Sequence, residues 1–281
     1  MKTVRTVAAL RAAVQHWREA RGSVGLVPTM GALHAAHAAL VDDARTRADH
    51  VVASIFVNPQ QFGDDEDLAE YPRTEEADLQ QLREGGVELV FAPPVDEMYP
   101  DGFATTVVLA GPAQGLCGAA RPGHFAGVAT VVTKLFLQCR PDVAVFGEKD
   151  YQQLKVIERL ARDLDLPVEI VGVPTVREAD GLACSSRNGY LNPDERASAP
   201  ALYRALQTAA QRLTDGAAVS AAVTDASRSI LRAGFQEVEY VELRRADTLD
   251  PAPVRNGTPA RLLAAAQLGT TRLIDNVGLV F

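Results

Sequence analysis

The sequence contains few cysteines, and they lie far apart along the chain. Only Cys117, Cys139 and Cys184 occur among 281 residues, and their spacing matches no common metal site. An odd number of scattered cysteines also differs from the paired framework of a small secreted protein. We therefore expect three reduced thiols in a cytoplasmic protein.

Positive charge and long apolar runs are also scarce. The net charge is -8, with 28 basic residues against 36 acidic ones. A surface of this sign repels a phosphate backbone, which argues against a general nucleic-acid-binding protein. No apolar run is long enough to span a membrane, and residues 1–5 lead into a helical pattern rather than a signal peptide. A soluble protein with a local positive pocket for any anionic substrate is favoured.

What the sequence does have, over its first 175 residues, is an alternation of apolar strand patterns with helical patterns. This alternation predicts an α/β fold: a Rossmann-like parallel sheet with helices on both faces and ligands at the carboxyl ends of the strands. The predicted strands are Gly25–Pro28, His50–Val57, Glu88–Phe91, Thr105–Leu109, Asp142–Phe146 and Val168–Val173. The predicted helices are Thr6–Arg21, Ala35–Ala48, Glu75–Glu84, Phe125–Gln138 and Tyr151–Asp163.

The remaining chain predicts a smaller α+β domain, so we expect domains at 1–175 and 176–281. Alanine-rich helical patterns cover Pro193–Thr214 and Ala217–Ala233. Strand patterns follow at Gln236–Leu243, Arg261–Ala266 and Thr271–Val280. At 281 residues, the chain is long enough for two domains.

The segment VPTMGALHAAH, residues 27–37, suits a polyphosphate group. A strand and a glycine turn lead into a helix whose first turn contains His34 and His37, spaced to lie on one face. The helix N-terminus adds unpaired N–H groups and partial positive charge, and a protonated histidine can give a proton to a departing phosphate. One surface and one core histidine is the plainer alternative. A zinc pair is disfavoured because no third ligand is evident.

Three further segments follow strands and carry polar groups. FVNPQQFG, residues 56–63, offers amides that could hold a hydroxy acid, although loop amides are often only solvated or capping. GEKD, residues 147–150, offers a glycine, a cation and carboxylates for a nucleotide, or an exposed turn. SSRN, residues 185–188, combines two hydroxyls with an arginine that can grip phosphate, and one serine could instead cap a helix. His124 in the GHF segment is open to a structural or a functional interpretation.

Taken together, these segments resemble the pantothenate synthetase (pantoate–β-alanine ligase) family of the nucleotidyltransferase superfamily. The resemblance runs from Val4 to Phe281 and includes VPTMGALH, FVNPxQF, YPRT, GHF, FGEKDYQQL and PTVREADGLAxSSRN. It implies a Rossmann-like domain followed by a smaller C-terminal lid domain, a homodimer, and ATP-dependent ligation of pantoate to β-alanine through a pantoyl adenylate with Mg²⁺. The alternatives are another nucleotidyltransferase, such as a cytidylyltransferase, or a non-catalytic nucleotide-binding module.

The resemblance also implies roles for individual residues. His37 would donate a proton to leaving pyrophosphate, and His34, Lys149 and Arg187 would stabilise charge. Gln61 and Gln153 would hold pantoate, Gln61 would also border β-alanine, and Asp78 would lie near Mg²⁺. The implied ATP-binding residues are Met30, Gly31, Ala32, Leu33, His34, Ala35, Ala36, His37, Gly147, Glu148, Lys149, Asp150, Val176, Cys184, Ser185, Ser186 and Arg187.

Overall fold

A computed structural model describes residues 1–63, 66–251 and 257–281 of the chain. Asp64 and Asp65, which follow the FVNPQQFG segment in the sequence, lie outside the described residues. The chain divides into two units. Unit 1 comprises Met1–Leu109, Arg121–Glu148 and Val156–Pro174, and unit 2 comprises Ala110–Ala120, Lys149–Lys155 and Thr175–Phe281.

Unit 1 is built on a six-stranded parallel sheet. Its strands are β1 (Lys2–Val4), β2 (Val24–Thr29), β3 (His50–Ile55), β4 (Leu89–Phe91), β5 (Val143–Gly147) and β6 (Glu169–Val173), in the order β1-β4-β3-β2-β5-β6. The inner strands are nearly continuous apolar runs because helices cover both faces of such a sheet. The parallel α/β fold is therefore confirmed. The strand order reverses between β2 and β5, which is where ligands bind in folds of this kind.

The helices of unit 1 and the connecting segments are α1 (Val7–Glu19), α2 (Ala35–Arg47), α3 (Glu75–Glu84), α4 (Val95–Met98), α5 (Leu116–Ala120), α6 (His124–Cys139) and α7 (Tyr151–Asp163). Of these, α5 and the first five residues of α7 belong to unit 2. None of the helices in the described part of the chain combines the length and the apolarity needed to cross a bilayer.

Unit 2 packs helices against an antiparallel sheet. Its further elements are α8 (Pro193–Ser198), α9 (Ala201–Thr214), α10 (Val219–Arg232), β7 (Glu237–Arg245), β8 (Pro259–Leu268) and β9 (Thr271–Val280). The three strands pair in the order β7-β8-β9. Their buried face includes Leu262, Ala264 and Leu273, which pack with Leu206 and Ile230 of the helices.

Two local predictions were wrong. Thr105–Leu109 is not a strand: it forms no ladder with any described strand, and Val108 is 76% exposed. The helix predicted over Pro193–Thr214 is two helices, because Pro200 lacks an N–H and cannot continue the first one. The sheet also contains β1, which is too short to give a periodic pattern.

The division into units is not contiguous in sequence. The change at 174/175 lies one residue from the predicted boundary, yet residues 110–120 and 149–155 group with the C-terminal unit. Side-chain bonds explain this grouping. The Tyr151 hydroxyl donates to the Ala246 carbonyl at 2.9 Å, and the Cys117 Sγ lies 3.0 Å from the Tyr240 hydroxyl.

Candidate active site

Residues 30–37, which we call the histidine turn, connect β2 to the N-terminus of α2. Gly31 and Ala32 have φ values of 81° and 50°, so the chain turns sharply and aims successive N–H groups inward. The buried carboxylate of Asp78 accepts the N–H groups of Ala32 at 3.0 Å and of Leu33 at 2.8 Å. A Cβ at position 31 would lie 2.9 Å from Asp78 Oδ2, so glycine is required there. The Asp78 carboxylate therefore fixes the conformation of the histidine turn.

The two histidines lie side by side where the histidine turn becomes α2. His34 is the N-cap residue, and its ring centroid is 4.2 Å from that of His37. The His34 backbone N–H donates to His37 Nδ1 at 3.2 Å. Neutral His37 consequently carries its proton on Nε2. This tautomer leaves a ring N–H as the donor at a helix N-terminus, where anions are favoured.

Residues 58–61, which we call the amide turn, follow β3. Asn58 is 1% exposed and is bonded on both sides of its amide. Its Oδ1 accepts the Tyr99 hydroxyl at 2.7 Å and the Gln60 N–H at 3.3 Å. Its Nδ2 donates to Gln61 Oε1 at 3.1 Å and to the Gly127 carbonyl at 3.2 Å. The Gln61 side chain is thus oriented by a buried neighbour.

The amide turn touches the histidine turn. Gln61 Nε2 lies 3.2 Å from Met30 Sδ. The contact follows from the sheet, since β2 and β3 are parallel neighbours whose ends pair as Thr29 with Ile55. A group suited to phosphate and an amide suited to a hydroxy acid therefore lie next to each other.

Charged residues support the amide turn from the GHF segment. His124 Nδ1 lies 2.8 Å from the Gln61 carbonyl oxygen, and Arg121 Nη1 lies 3.2 Å from His124 Nε2. Arg121 also pairs bidentately with Glu66, with Nε 2.6 Å from Oε1. Burial acts to raise the pKa of Glu66, but the hydrogen bonds and charge of Arg121 outweigh it and hold that pKa below its usual value. His124 is therefore tied to the backbone of the amide turn.

Two groups of predicted residues belong to unit 2: one at 149–153 and one at 176–187. Lys149 Nζ is 3.8 Å from Asp150 Oδ1, and the Lys149 carbonyl accepts Asn276 Nδ2 at 2.9 Å. Of the two adjacent glutamines, Gln152 is buried, and it bonds the Pro112 carbonyl and the Cys117 N–H, each at 3.0 Å. Gln152 is structural, which leaves the half-buried Gln153 as the glutamine of this pair that is suited to a ligand.

The segment at 176–188, which ends with SSRN, folds back on itself. The Cys184 N–H donates to the Val176 carbonyl at 3.0 Å, and Arg177 pairs bidentately with Asp275 at 2.7 and 2.8 Å. The Ser185 hydroxyl accepts the Arg187 N–H at 3.3 Å and so caps the short 3₁₀ helix Ser186–Tyr190. Burial raises the pKa of the Cys184 thiol, which disfavours the reactive thiolate form.

Sequence reasoning misses two contributors to the site and predicts a third, Asp78, only as a neighbour of Mg²⁺. Asp78 is expected near a metal ion, whereas its oxygens accept backbone N–H groups of the histidine turn. Tyr99 and Gly127 give no sequence signal, because each lies 41 or more residues from Asn58, which it contacts. Asn58, by contrast, lies inside a segment whose amides the sequence already marks as candidates.

A parallel sheet with polar turns at the carboxyl ends of two neighbouring strands, one of them entering a helix N-terminus, defines an α/β enzyme that uses a nucleotide. Comparison with known proteins identifies the family. The family model described as pantoate-beta-alanine ligase matches residues 2–278. The pantothenate synthetase of Paramagnetospirillum magneticum is 61% identical over 275 residues, which cover 98% of this chain and 96% of that one.

Solved structures agree over nearly the whole chain. The pantothenate synthetase of Thermus thermophilus matches with a TM-score of 0.91 and 52% identity, covering 99% of both chains. The pantoate-beta-alanine ligase of Francisella tularensis, complexed with beta-gamma ATP and beta-alanine, matches with a TM-score of 0.84 and 31% identity, covering 99% of this chain and 97% of that one. The chain belongs to the pantoate–β-alanine ligase family.

Proposed function

We propose that this protein joins pantoate to β-alanine at the expense of ATP, releasing AMP and pyrophosphate. The observation that carries the proposal is the contact between the histidine turn and the amide turn, with Gln61 Nε2 3.2 Å from Met30 Sδ. One turn suits the phosphates of ATP and the other suits a hydroxy acid, so the acid can lie beside the phosphorus atom that it attacks.

The reaction takes two steps because a carboxylate does not react with an amine at neutral pH. First, a pantoate carboxylate oxygen attacks the α-phosphorus of ATP, and the bond to the bridging oxygen of pyrophosphate breaks. His37, with a proton on Nε2, donates to the departing pyrophosphate, while His34, Lys149 and Arg187 stabilise the developing negative charge. Then the β-alanine nitrogen attacks the acyl carbon, loses a proton and displaces AMP. Gln61 and Gln153 hold pantoate, and Gln61 also borders β-alanine.

The ATP-binding residues are assigned by their resemblance to the motifs of the pantoate–β-alanine ligase family. We propose that the histidine turn, residues 147–150 and Val176 contact the nucleotide, together with residues 184–187. Two features of the structure support this part of the proposal: the helix N-terminus at His34, and the position of Gly147 at the end of β5, next to the point where the strand order reverses.

The described residues fit a direct magnesium site poorly. In residues 1–63, 66–251 and 257–281, no group of three or more His, Cys, Asp or Glu side chains is arranged to hold a metal ion. Asp78, the expected neighbour of the ion, already accepts two backbone N–H groups and the Thr74 hydroxyl. We propose that Mg²⁺ enters with the phosphates of ATP, as is usual for this cation.

We further propose a homodimer located in the cytoplasm. The segment at 105–109, TTVVL, is rich in β-branched residues, joins no sheet of the described chain and exposes Val108, and such a segment favours pairing with another chain. Sedimentation of Val108→Lys against the unchanged protein tests the dimer, and a monomeric variant is expected.

Isotope exchange tests the proposed function. With pantoate present and β-alanine absent, labelled pyrophosphate should enter ATP, and adding β-alanine should yield AMP and pantothenate. Exchange with CTP but not ATP would identify a different nucleotidyltransferase. ATP binding without exchange would identify a non-catalytic nucleotide-binding module.

A further inference from the structure

We propose that Tyr99 is a positioning residue for the acid substrate: its hydroxyl holds Asn58, and Asn58 holds the Gln61 amide with its N–H groups toward the ligand. Tyr99 itself touches no reacting atom in this scheme. The inference rests on the proposed role of Gln61 in binding pantoate.

The orientation of the Asn58 amide is determined by backbone groups that cannot exchange roles. The Gln60 N–H can only donate, and it lies 3.3 Å from Oδ1. The Gly127 carbonyl can only accept, and it lies 3.2 Å from Nδ2. Since Asn58 is 1% exposed, water has little access to these bonds. The oxygen and nitrogen of this amide are therefore assigned by chemistry.

The orientation of Gln61 follows from that of Asn58. Asn58 Nδ2 is a donor, so the Gln61 atom 3.1 Å away must be the acceptor Oε1. Nε2 is then on the other side of the amide, 3.2 Å from Met30 Sδ. A thioether sulfur is a weak acceptor, and a carboxylate or hydroxyl oxygen of a ligand readily replaces it. Gln61 consequently presents N–H donors to the substrate.

Tyr99 supplies the remaining bond to Asn58. Its hydroxyl donates to Oδ1 at 2.7 Å, so with the Gln60 N–H it fills both lone pairs of that oxygen. Burial raises the pKa of the Tyr99 hydroxyl, which keeps it protonated and able to donate. The ring packs against Phe103, with centroids 5.0 Å apart, and against Phe56 at 6.0 Å. Tyr99 is thus a rigid donor behind the amide turn.

Tyr99→Phe removes the hydroxyl and keeps the ring. The dissociation constant of pantoate, measured by titration calorimetry, should rise about five- to tenfold, the factor for losing about 1–1.4 kcal/mol. The KM for ATP should stay within about twofold on the same reasoning, because the histidine turn keeps its own anchor at Asp78. A purely structural role would lower thermal stability without separating pantoate from ATP.

Phe103→Leu is the matched control, because it disturbs the same ring cluster without a bond to Asn58. It should lower the melting temperature and leave pantoate affinity unchanged. Asn58→Asp, which has the same size but no Nδ2 donor, should weaken pantoate at least as much as Tyr99→Phe. If Phe103→Leu weakens pantoate equally, packing rather than the hydrogen bond is responsible and the proposal is overturned.

A double-mutant cycle separates this proposal from the proposed function. Gln61→Ala alone should weaken pantoate, and adding Tyr99→Phe should cause no further loss, since Tyr99 acts through Gln61. Equal effects of Tyr99→Phe in both backgrounds, or no effect in the unchanged protein, would overturn the positioning role alone. An unaltered pantoate affinity in Gln61→Ala would overturn the assigned role of Gln61 and this inference with it.

Discussion

The histidine turn and the amide turn lie at neighbouring strand ends but are anchored by different chemistry. Asp78 holds the first with a carboxylate that accepts the N–H groups of Ala32 and Leu33. Asn58 holds the second with an amide that accepts on one side and donates to Gln61 on the other. A carboxylate can only accept, so it suits a backbone whose N–H groups point inward. An amide does both, so it can also orient a second side chain.

The two turns are expected to control different kinetic constants, and His37→Ala is the largest test of this difference. Losing a general acid costs about 10²–10⁴-fold in kcat. The pantoate KM should change far less, because the amide turn is untouched. Steady-state kinetics with varied pantoate measure both. A kcat above about a third of the original value, far outside that range, would remove the proton-donor role.

Asp78→Asn breaks the charged anchor with little change in volume. Asparagine can accept only one of the two backbone N–H groups and turns its own N–H₂ toward the other. The free energy of unfolding should fall by about 1.5–3 kcal/mol, the range for hydrogen bonds to charged groups. ATP affinity should weaken to the same extent with Mg²⁺ as with EDTA, as nucleotide titrations will show. Weakening confined to Mg²⁺ would make Asp78 a metal ligand instead.

Gly127→Ala disturbs the anchor formed by the Asn58 amide, because Gly127 lies against the backbone of the amide turn. A Cβ at Gly127 would lie 2.1 Å from the Gln60 carbonyl oxygen, which is backbone and cannot move aside alone. We expect a loss of about 1–3 kcal/mol of stability, as for other overpacked sites, and a rise in the pantoate KM. Denaturant unfolding and pantoate kinetics measure the two effects. Gly189→Ala is the control, since its Cβ would meet nothing within 4 Å and the residue lies outside the proposed binding segments.

The smallest expected effect concerns Glu66, whose pair with Arg121 supports the amide turn through His124. Glu66 has a pKa held below its usual value in the folded protein, so its pair with Arg121 stabilises at neutral pH. That contribution should fade as the pH falls below the ordinary glutamate value of about 4.5 and through the folded pKa. Glu66→Gln should cost about 1 kcal/mol at pH 7. A difference in unfolding free energy that persists undiminished at pH 3 would contradict this origin.

The sequence predicted those parts of the fold that depend on local pattern. The apolar run of β2 and the helical pattern of α2 placed the histidine turn between them, because burial on both faces of a sheet leaves a continuous apolar signature. Prediction from sequence failed where the structure of a segment depends on a partner that is distant in the chain. Thr105–Leu109 has strand-forming residues but pairs with no described strand, and composition alone cannot supply a neighbour.

The sequence predicts candidate ligand-facing residues but not the contacts that hold them in place. His34, His37 and Gln61 lie in strand-end segments whose chemistry can be inferred from sequence. Asp78 and Tyr99 are 45 and 41 residues away from the atoms that they hold, so only the folded chain brings them there. The roles of the ligand-facing residues stay predictions until the kinetic tests above.

The hydrogen bonds from Tyr99 through Asn58 to Gln61 run in one direction. They also distinguish ligand groups that accept hydrogen bonds from those that donate them. Their direction cannot reverse, because it is set by a backbone N–H and a backbone carbonyl. An oxygen that reaches Gln61 Nε2 finds donors, whereas an ammonium group, which has donors only, finds no acceptor except the weak one of Met30 Sδ. If Gln61 binds substrate as proposed, this place beside Met30 would favour the oxygens of pantoate or β-alanine over the amine of β-alanine.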